Sequence, residues 1–236
     1  MVHGIGTLAN LATVLAGGLA GVILGNRLPE KLVGITMQCV GLATVLVGLQ
    51  MAWQADTGLR FIAVLVSLVV GSWAGEAMRL EDRLNAAGER LKARFGTGAR
   101  GDFTRGFVTA SLLFCVGPMT VLGALQDGLR GDPTLLMTKS TLDGISAIAL
   151  AAGLGPGVLF SGLTILVYQG GLTIAAGAAR QFLTDPVVVL LTAVGGLMIV
   201  AIGLNILQVA RLRVANMLPG LAAAVMAGLL LGGLLG

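Results

Sequence analysis

A lone histidine, His3, and only two cysteines leave this 236-residue chain with few of the side chains on which enzymes build chemistry. One imidazole makes neither a His-rich metal site nor a Ser-His pair, and no G-x-x-x-x-G-K-[ST] run is present to cradle a phosphate. The expectation is a protein that is not an enzyme, holds no metal and needs no cofactor. Cys39 and Cys115 both fall inside long apolar runs, where free cysteine behaves as a small hydrophobe, so no disulfide framework is expected. Charge is scarce as well. At 11% charged against 56% hydrophobic residues, with a mean hydropathy of +0.95, a soluble domain of this size is excluded.

What the chain has in quantity is apolar length. Crossing about 30 Å of hydrocarbon takes roughly 20 residues of helix. Eight runs qualify, near 7–25, 32–53, 61–78, 107–125, 135–154, 158–178, 187–209 and 218–235. They are apolar on every face, which excludes the alternation of barrel strands and leaves helices as the way to satisfy backbone groups in lipid. The expected fold is all-α, a polytopic membrane helix bundle forming a single transmembrane domain over 1–236. The first run has no basic residue ahead of it and no small-residue cleavage site, and reads as a span, not a signal peptide.

The formal charge of +4 does not point to nucleic acid, because the bases are distributed by side of the membrane. Eight spans put Arg27, Lys31, Arg79, Arg83, Arg90, Lys92, Arg94, Arg100, Arg105, Arg211 and Arg213 on one side, and Arg60, Arg130 and Arg180 on the other. The positive-inside rule makes the first side cytoplasmic, with both termini outside. So strong a bias opposes dual topology, and any homo-oligomer should be parallel. Between spans 3 and 4 lies a polar segment, 79–105, with Leu80, Leu84, Ala87, Leu91 and Phe95 at helical spacing. It is expected to be an amphipathic helix on the inner leaflet, its bases near anionic lipid headgroups, or else a surface for a partner.

Residues 39–50, C-V-G-L-A-T-V-L-V-G-L-Q, match residues 115–126, C-V-G-P-M-T-V-L-G-A-L-Q, at eight positions. R-L-P-E-K-L at 27–32 and R-L-E-D-R-L at 79–84 extend the echo. A weaker copy runs through Gly196, Leu197, Val200, Gly203 and Leu204 in span 7, which crosses in the opposite direction. Internal repeats of apolar spans, including inverted ones, are a common construction of transporters.

Glycines at G-x-x-x-G spacing, namely Gly17, Gly21 and Gly25, Gly71 and Gly75, Gly228 and Gly232, are expected at close helix contacts. Mid-depth breaks are expected at Gly117-Pro118, at Gly170-Gly171 after Gln169, and at Gly195-Gly196. Proline frees a carbonyl that needs another partner, and unwound backbone survives in a membrane where protein buries it or a polar cavity receives it. Asp143 falls halfway along span 5, with Lys139 one turn toward the outside. Such groups are costly in lipid and point to a solute or proton site, or else neutralise each other across the turn. Glu76 sits near the cytoplasmic end of span 3. Asn10, Gln38, Gln50, Gln126, Tyr168, Gln169 and Asn205 add neutral polar groups suited to a polar path or to cross-helix bonds.

The run F-V-T-A-S-L-L-F-C-V-G-P-M-T-V-L-G-A-L-Q-D-G at 107–128 resembles the YqgA/YdfK-like family of uncharacterised bacterial integral membrane proteins. So do G-I-G-T-L-A-N at 4–10, K-S-T-L-D-G at 139–144, Y-Q-G at 168–170 and N-M-L-P at 216–219. The resemblance implies a bacterial inner-membrane protein and carries no activity or catalytic residue. From the residues themselves, the expected function is a secondary transporter or exporter of a small solute or ion working by alternating access. Its site would draw on Asp143, Lys139, Gly117, Pro118, Gln169, Asn10 and Glu76. The alternatives are a channel, and a membrane scaffold or sensor that binds a partner through its cytoplasmic helix.

Overall fold

Long apolar runs fold here as helices even where β-branched residues are frequent, as in the Val- and Ile-rich run 185–206. A computed structural model describes residues 4–55, 58–95, 101–179 and 184–235; His3, Arg100 and Arg180 lie outside the described residues. The helices are α1 (Ile5–Arg27), α2 (Glu30–Ala52), α3 (Gly58–Met78), α4 (Leu80–Phe95), α5 (Phe103–Val116), α6 (Pro118–Arg130), α7 (Thr134–Leu154), α8 (Ser161–Ile174), α9 (Ala176–Ala179), α10 (Asp185–Ile206) and α11 (Pro219–Leu235). Two 3₁₀ turns, Pro156–Phe160 and Val214–Met217, lead into α8 and α11. No strand occurs among the described residues, and the protein is an all-α polytopic helix bundle.

Of the three expected breaks, one is present. α5 and α6 meet at Gly117 with a bend of 60°. Pro118 has no amide hydrogen for the carbonyl of Phe114, four residues back, and the Thr120 hydroxyl donates to that carbonyl instead at 3.0 Å. The breaks expected at Gly170-Gly171 and Gly195-Gly196 do not occur, since α8 and α10 run through both pairs. Glycine keeps its amide and so leaves the hydrogen-bond ladder intact. Gly196 serves packing, because a Cβ there would strike the Gly48 carbonyl and the Met51 side chain. The two cysteine-anchored segments also differ in backbone. Leu42 stands in α2 where Pro118 stands in the other copy, and α2 is continuous.

The chain forms two compact units: Met1–Val40, Leu84–Cys115 and Met119–Ala178 make the first, and Gly41–Arg83, Val116–Pro118 and Ala179–Gly236 the second. In the first, α1 and α7 run parallel. A Cβ on Gly17, Gly21 or Gly25 would fall on the carbonyl of Gly144, Ile148 or Ala152 in turn. α8 returns antiparallel, with Gly162 against Leu11 and Gln169 beside Asn10. The broken pair α5–α6 follows the length of this layer. Phe103 at its start packs on Gly157, just past the C-terminal end of α7, while Asp127 near its finish bonds the first amides of α1. It is therefore one crossing with a bend, not a re-entrant loop.

In the second unit α2 and α10 run antiparallel through Gly48 and Gly196, and α3 and α11 antiparallel through Gly71 and Gly220. Crossing directions alternate along a membrane chain. A parallel first and fifth span, with antiparallel second and seventh and third and eighth, fits eight crossings and not seven.

The amphipathic segment is shorter than 79–105. α4 ends at Phe95, 96–100 lie outside the described residues, and Phe103 already opens α5, four residues ahead of the expected start of span 4. Part of its apolar stripe meets protein where lipid was expected. Gly88 sits on Thr104 and Phe107, the Thr104 hydroxyl donates to Glu89 at 2.5 Å, and the Phe95 ring lies 5.4 Å from that of Phe160.

Candidate functional site

Lys139 and Asp143 are one turn apart on α7 and share a face. The glycine contacts of α1 bring that face close to Asn10, and α8 supplies Gln169 from the other side. All four side chains are buried, Asn10 and Gln169 completely and Asp143 to within 9% exposure. Lys139 and Asp143 form an ion pair through Oδ2. Asn10 Nδ2 donates to the same Asp143 Oδ2 at 3.1 Å and to Gln169 Oε1 at 3.0 Å. Gln169 Nε2 donates to Thr7 Oγ1 at 3.2 Å, and Thr173 Oγ1 donates to the Gln169 carbonyl at 3.0 Å. With the Thr173 hydrogen so used, the 3.2 Å contact between the Thr7 and Thr173 hydroxyls has Thr7 as donor.

The result is a continuous polar chain joining Thr173 to Lys139 across three helices, in which Asn10 donates in both directions. Asn10 is its hub, and the Asn10 Oδ1 atom is buried without a partner. Turning the amide over would aim that oxygen at two acceptors, Asp143 Oδ2 and Gln169 Oε1. The network is neutral as a whole, which is what makes two charges tolerable at this depth.

Asn10, Lys139, Asp143 and Gln169 thus meet as a group. Gly117 and Pro118 form the bend between α5 and α6 and make none of these hydrogen bonds. Glu76 makes none of these hydrogen bonds either. At the C-terminal end of α3, in the second unit, it pairs with Arg213 and accepts from Asn216 Nδ2 at 2.7 Å. There Asn216 Oδ1 accepts from the Glu81 amide at 2.7 Å, while Glu81 Oε2 accepts from the Ala215 amide at 2.9 Å, so each segment caps the start of the other. The Arg213–Glu76 pair is more than half exposed, and its share of stability is small.

Sequence reasoning missed Thr7, Thr173 and Asp127. Asp127 is fully buried at the end of α6 and accepts from the amides of Gly4 at 3.3 Å and Gly6 at 3.0 Å. It caps α1 from a distant helix, placing negative charge where the helix dipole favours it. The available signal was weak: α1 begins at Gly4 with no capping side chain of its own. Asp127→Ala is expected to lower stability by about 1–3 kcal/mol, the cost of stranding buried donors. Asp127→Asn should lose less, because its one oxygen can still accept; thermal melting of both variants checks the order.

At the solvent-exposed start of α7, the Thr134 hydroxyl and amide donate to Asp132 at 2.6 and 3.0 Å and hold its carboxyl below the usual range. Among the described residues no group of three His, Cys, Asp or Glu side chains is placed to hold a metal.

Comparison with known proteins finds relatives of unknown function, one of them named a membrane protein. A family model described as "Protein of unknown function (DUF554)" matches residues 5–229. The chain is 32% identical over 217 residues to "Uncharacterized membrane protein YdfK" of Bacillus subtilis (strain 168), covering 92% of each chain. It is 31% identical over 225 residues to "Uncharacterized protein YqgA" of Escherichia coli (strain K12), covering 94% of each. No solved structure matches it.

Proposed function

We propose that this chain, which belongs to the DUF554 family of proteins of unknown function, is a secondary transporter of a small solute. One observation carries the reading: a buried, charged and hydrogen-bonded network that reaches from the start of α1 to Asp143 halfway along α7, containing an unpartnered oxygen, in a multi-pass membrane protein with a crossing broken at Gly117-Pro118. Ionisable groups inside spans are costly enough that they mark solute or ion paths by default. The bonds from Asn10 on α1 to Asp143 on α7 and to Gln169 on α8 can be broken and re-formed as helices shift, while Lys139 stays one turn from Asp143 on the same helix. In this reading Asp143 binds a cation or a proton, and Lys139 is its resting partner or a contact for an anion. The bend supplies a hinge between two short half-spans, as alternating access requires. No catalytic step is assigned.

Eleven basic residues against three support an orientation with both termini outside the bacterial inner membrane, and in this reading the bases of α4 face anionic headgroups. Proteoliposomes loaded with a panel of ions, amines, amino acids and organic acids test the reading. Wild-type protein should move at least one solute down an imposed ion gradient, and Asp143→Asn should reduce that flux to the level of empty vesicles. Flux equal to wild type in Asp143→Asn would overturn the mechanism. Sustained unitary currents in a planar bilayer would replace the transporter by a channel.

A further inference from the structure

We infer that the free oxygens of Asn10 and Asp143 form a binding site for a small monovalent cation, for which the Lys139 ammonium is a tethered competitor. The inference rests on the transport reading for its purpose and names the class of substrate.

The hydrogen-bond accounting around the pair is one-sided. Both Asn10 Nδ2 hydrogens are engaged, one on Asp143 and one on Gln169. The Thr7 and Thr173 hydroxyls hand their hydrogens along to the Gln169 carbonyl, Ser140 gives its own to the Leu136 carbonyl at 2.6 Å, and Thr13 turns to the Asn10 carbonyl at 3.0 Å. Both Asn10 hydrogens and the hydroxyl hydrogens of Thr7, Thr13, Ser140 and Thr173 are in use, and the neutral donors left are the second Gln169 Nε2 hydrogen and the weakly donating Cys115 thiol. What remains open is acceptor capacity: Asn10 Oδ1 has no partner, and the hydrogen bonds to Asp143 all end on Oδ2, leaving Oδ1 open. A buried oxygen without a donor, as Asn10 Oδ1 is, is rare in folded proteins and asks what fills it.

An anion entering here would find only the Lys139 ammonium and would be repelled by the carboxylate beside it. A neutral donor would satisfy the amide oxygen but gain little from Asp143. A cation is attracted by an amide oxygen and by a carboxylate alike, and side chains so fully buried favour a small ion over a large one. Lys139 already neutralises Asp143, so a second positive charge would be uncompensated in a medium that penalises isolated charge. Ligand and lysine are therefore alternatives for one carboxylate, the ligand seating as Lys139 withdraws.

The test is thermal melting of the purified full-length protein at constant ionic strength. N-methylglucamine chloride is replaced stepwise by sodium, potassium or ammonium chloride, with N-methylglucamine formate and glycine as the anionic and zwitterionic probes. Lys139→Met should melt low in N-methylglucamine and be rescued saturably by one small cation. Its apparent Kd should be at least about tenfold below that of wild type, because a like charge at the site has been removed. The neutral double variant Lys139→Met/Asp143→Asn should show no cation response. Asn10→Ala, with both charges kept, should lose the response of wild type.

Identical melting of Lys139→Met in all salts would overturn the site, as would stabilisation by formate or glycine that depends on Lys139. Should Lys139→Met give no folded protein in any salt, an unchanged cation response in Asn10→Ala would overturn it instead. The two readings separate cleanly. Cation binding without flux of any solute leaves this site standing and sinks transport, whereas Lys139-dependent flux of an anion does the reverse.

Discussion

Lys139→Met, made with Asp143 intact, is expected to destabilise the protein by about 3–5 kcal/mol, the range found when one partner of a buried ion pair is removed. The cause is not the loss of attraction alone. Asp143 would keep its Asn10 hydrogen bond, but one amide donor does not offset a carboxylate buried among α1, α7 and α8. Asp143→Asn should be costly for the mirror reason, leaving an ammonium buried beside a neutral amide. The double variant is expected to recover most of the loss, since two neutral side chains of similar volume need no compensation and buried pairs add little net stability over apolar replacements. Melting curves of the four proteins in low-affinity salt complete the cycle, and the coupling between the sites should exceed either residual effect. Additive single costs would mean that the two side chains do not meet. A double variant that melts like wild type yet moves no solute would separate the pair's role in function from its role in folding.

Much of the scaffold was legible because lipid narrows the choices. An apolar run of the right length is a crossing, proline within one interrupts the ladder, and a charge within one faces protein. Those rules selected the eight crossings, the bend at Pro118, and Asn10, Lys139, Asp143 and Gln169, which meet in one network. They failed where one residue type has two uses that look alike in sequence. Thr36 and Thr141 bond the carbonyl four residues back in their own helix, while Thr7 reaches across to α8. Nothing local distinguishes them.

Glycine pairs failed in the same way. Gly195-Gly196 read as a break because glycine weakens helices, but its use is close approach to α2, which a list of residues cannot announce. Glu76 had the sequence features of a site residue, and what decided its role was Arg213 and Asn216, both more than a hundred residues away. Asp127 was invisible for the same reason: the amides it caps belong to α1, across a gap of more than a hundred residues.

The glycine stripe of α1 supplies the second large effect. Gly21→Val is expected to disrupt the first unit, because its Cβ would land on the carbonyl oxygen of Ile148 and within 2.8 Å of the Ala151 Cβ. Neither can swing aside as a flexible side-chain tip could, so relief requires α1 to lift from α7. Overpacking of this kind costs typically 1–3 kcal/mol and more where backbone must move. A β-branched residue should fall at or above the upper end, with Gly21→Ala in the middle. Lifting α1 also lengthens the 3.1 Å bond between Asn10 and Asp143, so any ligand response that depends on the network should fall together with stability. Gly34 provides the control. It lies in α2 with nothing within 4 Å of its would-be Cβ, and Gly34→Ala should be neutral or gain up to about 1 kcal/mol of helix propensity. Opposite shifts in melting temperature for Gly21→Ala and Gly34→Ala, two identical substitutions in neighbouring helices of the sequence, are the expected result. Equal shifts would mean that α1 does not pack on α7 through its glycines, and the placement of Asn10 beside Asp143 would fall with it.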